Sequence, residues 1–78
     1  MEQSDIEKSL IALAEQELDC ITLTGQEGRS EAALQHYHAV MTLVRLTEFD
    51  NSGLSISAAQ VLQRIGVDAA KAATEIGQ

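Results

Sequence analysis

His36 and His38 are the first side chains to weigh as metal ligands, and their spacing argues against a shared ion. Two residues apart on a helix, they point roughly 200° away from each other. Zinc-binding helices place their histidines four apart. His38 falls on a polar edge. His36 falls between two apolar stripes and is expected in the core or at an interface. Cys20 is the one thiol. It sits on an apolar helix face, where a free cysteine behaves as a small hydrophobe. A nucleophile would want a basic or histidine neighbour, and no triad or acid pair is legible. The chain therefore reads as non-enzymatic, with no cofactor and no metal. Glu17 is the odd charge. It projects from the middle of an apolar half-helix, so it needs a partner such as Arg45, an interface, or a solvent-exposed flank.

The stretch "FDNSGLSISAAQVLQRIG", Phe49 to Gly66, holds the remaining candidate chemistry. A Phe-Asp start, a polar loop with Gly and an Ile-Ser-Ala-Ala helix opening resemble the second half of an EF-hand. "ISAAQVLQRIG" is similar to the exiting helix of calmodulin-type proteins. The resemblance covers about a quarter of the chain and implies a calcium loop. An EF-hand loop needs oxygen ligands at positions 1, 3 and 5, Gly at 6 and a bidentate Glu at 12. With Asp50 at position 1, Gly53 and Ile56 arrive too early. With Ile56 at position 8, Phe49 takes position 1 and neutral Gln60 replaces the Glu. One carboxylate, Asp50, is left for a divalent ion. "DNSG" is also ordinary turn chemistry.

The elements that must position these residues are short. The chain has 78 residues, one small domain spanning 1–78. A domain this size buries only about 60% of its unfolded surface and usually needs a staple or a partner chain. A single cysteine excludes an internal disulfide and fits a reducing, cytoplasmic setting. The N-terminus is acidic, unlike a signal peptide. The longest apolar run, Leu10–Ala14, is too short to span a bilayer.

Net charge is −7, with five scattered Lys and Arg residues, which opposes direct nucleic-acid binding. Residues 1–24 hold six acids against Lys8 alone, a local charge of −5. Glu15 and Asp19 are neighbours on one helix face and form a candidate acidic patch. A helix-turn-helix reading of "SAAQVLQRIGVDAAKAATEI" gains from Gly66. It loses to Leu62 where such motifs want Ala, to Glu75 where they want an apolar residue, and to the missing basic surface.

Helical periodicity dominates. The first helix is predicted over about 5–23, started by a Ser4/Glu7 capping box. Ile6, Leu10, Ile11, Leu13, Ala14, Leu18, Cys20 and Ile21 share its inward half. Gly25 is the predicted terminal cap, with Gly28 relaxing the turn. The second helix, about 31–47, carries two apolar stripes. One is Ala33, Leu34, Tyr37, Val40, Met41 and Val44. The other is Ala32, Ala39, Leu43 and Leu46. The third, about 58–76, is predicted to be capped by Ser57 with Gln60, and stapled by Ile56 and Val61. Ala58, Leu62, Ile65, Ala69, Ala72 and Ile76 form its 4-3-4-3-4 seam, and Gly66 marks a possible break.

The expected fold is all-α, a small three-helix bundle completed by self-association or a partner chain. The expected function is a regulator, adaptor or inhibitor acting by protein–protein binding, in a homodimer or hetero-complex without membrane contact. The expected interface is Ala32, His36, Ala39, Leu43 and Leu46, because the second helix is too apolar for a small chain to cover. Two alternatives stand beside it. One is an acidic, nucleic-acid-mimicking inhibitor of a basic target. The other is a degenerate EF-hand-like calcium-binding helix–loop–helix.

Overall fold

Ser4 starts the first helix as its sequence dictates, and the same residues also tie it to the third. In the computed structural model, which describes residues 4–49 and 53–76, the Glu7 N–H donates to Ser4 Oγ at 3.1 Å and the Ser4 N–H donates to Glu7 Oε1 at 2.7 Å. The second carboxylate oxygen, Oε2, accepts the Ser55 N–H at 2.5 Å. Ser55 in turn caps the third helix, its hydroxyl accepting the Ala58 N–H at 3.2 Å. One buried carboxylate thus joins the starts of two helices.

The described residues form α1 (Asp5–Gln26), α2 (Ser30–Val44), a 3-10 turn (Arg45–Glu48) and α3 (Ile56–Ile76). The shared Glu7 contact sets α1 and α3 side by side and parallel. Gly25 and Ile76 then meet at the far end, and α2 runs back between those ends. This is the expected all-α three-helix bundle. No helix among the described residues is long and apolar enough to cross a membrane.

The core follows from three seams. Glu7, Ala14 and Ile21 are the buried column of α1, flanked by half-buried Ile11 and Leu18. Val40 and Ala33 fill it from α2. Ala58, Leu62, Ile65 and Ala69 fill it from α3, as the 4-3-4-3-4 spacing predicts. Ile21, Leu62 and Val40 are fully buried, each contributing roughly 2 kcal/mol.

Several boundaries differ from the sequence reading. α1 continues past Leu23 to Gln26 because Gly25 stays helical. Its missing side chain leaves room for Ile76, which a Cβ there would meet at 2.6 Å. Gly28, at φ 76°, makes the reversal instead. Its N–H donates to the Gly25 carbonyl at 3.1 Å and that of Arg29 to the Thr24 carbonyl at 2.8 Å, a Schellman ending. Ser30 lies inside α2, behind Arg29 as its cap. Ser55, not Ser57, caps α3, because its backbone is already held by Glu7; Ile56 is 79% exposed and staples nothing. α3 runs unbroken through Gly66, where a Cβ would lie 3.0 Å from Val44.

Hydrogen bonds from the Ser4 N–H first, then the Ser55 N–H and the Ser55 hydroxyl, hold the Glu7 carboxyl down to about 2, from a usual value of 4.5. Both helix starts also present their positive ends to it. A depressed carboxyl pKa stabilises the fold fully above about pH 4.5, and that stability is lost as pH falls toward about 2. The urea midpoint of the wild type is therefore expected to drop through that window. Glu7→Gln is expected to have a lower midpoint at neutral pH and a flatter acid limb. An unchanged acid limb in Glu7→Gln would show that Glu7 is not the group responsible.

Candidate functional site

The short α1–α2 connection fixes which residues of the two helices lie level. Three residues, Glu27 to Arg29, reverse the chain, so α2 climbs back beside the last turns of α1. His36 arrives level with Glu17, and Arg45, nine residues further on, lies on the order of 13 Å along the bundle from it. Glu17 accordingly pairs with His36 rather than Arg45, through Oε2 and Nδ1. The carboxylate can only accept, so Nδ1 carries the hydrogen. The side chains are 23% and 32% exposed. The odd charge of α1 and the odd histidine of α2 thus satisfy each other at the rim of the core. His38 is exposed on the opposite edge, with Tyr37 edge-on beside it.

The remaining residues of the expected interface, Ala32, Ala39, Leu43 and Leu46, are all half-buried. Leu43 packs against the core. The bundle covers much of this stripe by itself, because α2 packs against both α1 and α3, which also contact each other.

Among the large exposed apolar side chains, Ile6, Leu13 and Leu23 belong to α1 and are 75%, 45% and 56% exposed; Leu34, Phe49, Ile56 and Val67 are exposed on other parts of the chain. The sequence reading placed Ile6, Leu13 and Cys20 on the inward half of that helix. The structure turns α1 so that the Glu7–Ala14–Ile21 column faces in, which carries Ile6 and Leu13 out to the flank. Cys20 is half-buried on the same flank. An exposed shallow groove is lined by Ile6, Leu10 and Leu13 with Asp5 and Ser9. The signal available in the sequence was Glu7 itself. A capping carboxylate at the head of the 7-14-21 column pulls that column toward the polar ends of its neighbours.

The acidic patch is present as a surface. Glu15 and Asp19 are exposed and share a groove between α1 and α3 with Asp68 and Arg64, over a floor of Leu18, Val61 and Ile65. Asp50, which would head a calcium loop, lies outside the described residues, with Asn51 and Ser52. Among the described residues no group of three or more His, Cys, Asp or Glu side chains is placed to hold a metal ion. Comparison with protein-family models, with curated proteins and with solved structures finds no match.

The Glu17–His36 contact has a measurable size. Glu17→Ala and His36→Ala are each expected to cost about 1 kcal/mol, the scale of a partly exposed hydrogen bond. The double variant is expected to cost less than the two together, with a coupling below about 1 kcal/mol. Urea unfolding of the four chains checks this. Strict additivity would show that the two side chains do not interact in solution.

Proposed function

We propose that this chain is a non-enzymatic binding protein whose α1 flank docks on another protein surface. The observation that carries this reading is the trio Ile6, Leu13 and Leu23, held exposed on one helix while the core closes without them. Scattered exposed apolar residues are ordinary, but a row of them along one helix of a small chain favours an interaction site. The flank is also poor in charge. Beside its large apolar residues lie exposed Ser9, Ala12 and Gln16 and half-buried Cys20, with Asp5 as the one acid in the groove at its start. Depletion of charge at the centre of a patch is the compositional mark of protein interfaces. The regulator, adaptor or inhibitor role expected from the sequence rests on this surface.

A second reading keeps the acidic groove. Glu15, Asp19 and Asp68 around an apolar floor favour a basic target whose nucleic-acid surface they would occupy. Binding of that kind weakens steeply with salt, whereas docking through the α1 flank does not.

A photo-crosslinking residue at Leu13 tests the first reading in the cells that natively make the chain. A discrete crosslinked species is expected at Leu13 and not at Thr74, on the polar face of α3. Equal trapping at both positions, or none at Leu13, would contradict it.

A further inference from the structure

We draw no further inference here: the strongest candidate, the groove between α1 and α3 lined by Glu15, Asp19 and Asp68 over Leu18, Val61 and Ile65, is a cluster of acidic side chains on a surface already described, and nothing else in the structure shows what covers it.

Discussion

The structure turns on one carboxylate. Glu7 is 6% exposed and accepts backbone hydrogens from the residues that cap two helices. A buried charge is tolerated only when its oxygens are satisfied, and here the satisfaction is also a positional constraint. α1 cannot roll about its axis without withdrawing Glu7 from Ser55. It cannot slide without breaking the same contact. The Glu17–His36 pair holds α1 against α2 by a second polar contact, ten residues along. Between them these contacts fix which part of the wide apolar half of α1 looks inward.

That choice has consequences on both sides of α1. Inward, it aligns Ala14 and Ile21 with Val40, Leu62 and Ala69 in one cluster. The small residues Gly25 and Gly66 let Ile76 and Val44 approach closely, so the helices pack tightly without large side chains at those points. Outward, it strands Ile6, Leu13 and Leu23 in solvent. The acids Glu15 and Asp19 go to the opposite flank, beside α3. A single small helix therefore carries three distinct surfaces: a core seam, an acidic groove wall and a charge-poor apolar row.

The fold was largely legible in the sequence. The Ser4/Glu7 capping box, the α3 seam and the glycine-bearing turn after α1 each follow from local rules. What was not legible was long-range. Ser55 outcompetes Ser57 as a cap because of a residue 48 positions away. Gly25, inside α1, is the place where Ile76 of α3 packs, and a Cβ there would meet it at 2.6 Å. The width of the apolar half of α1 hid its true inward direction, since periodicity gives a face but not the rotation that tertiary contacts impose. The expected interface residues on α2, Ala32, His36, Ala39, Leu43 and Leu46, are half-buried within the chain, whereas Ile6, Leu13 and Leu23 of α1 are exposed. Charge alone leaves Glu17 a partner such as Arg45, an interface or an exposed flank, and the level of two helices decides for His36.

The rotation of α1 is tested most directly by solvent accessibility at its methyl groups. In dilute protein, with a soluble paramagnetic agent, the NMR methyl signals of Ile6, Leu13 and Leu23 are expected to broaden strongly. Those of Ile21, Val40 and Leu62 are expected to stay sharp. Protection of Leu13 together with broadening of Ile21 in the dilute chain would contradict this account.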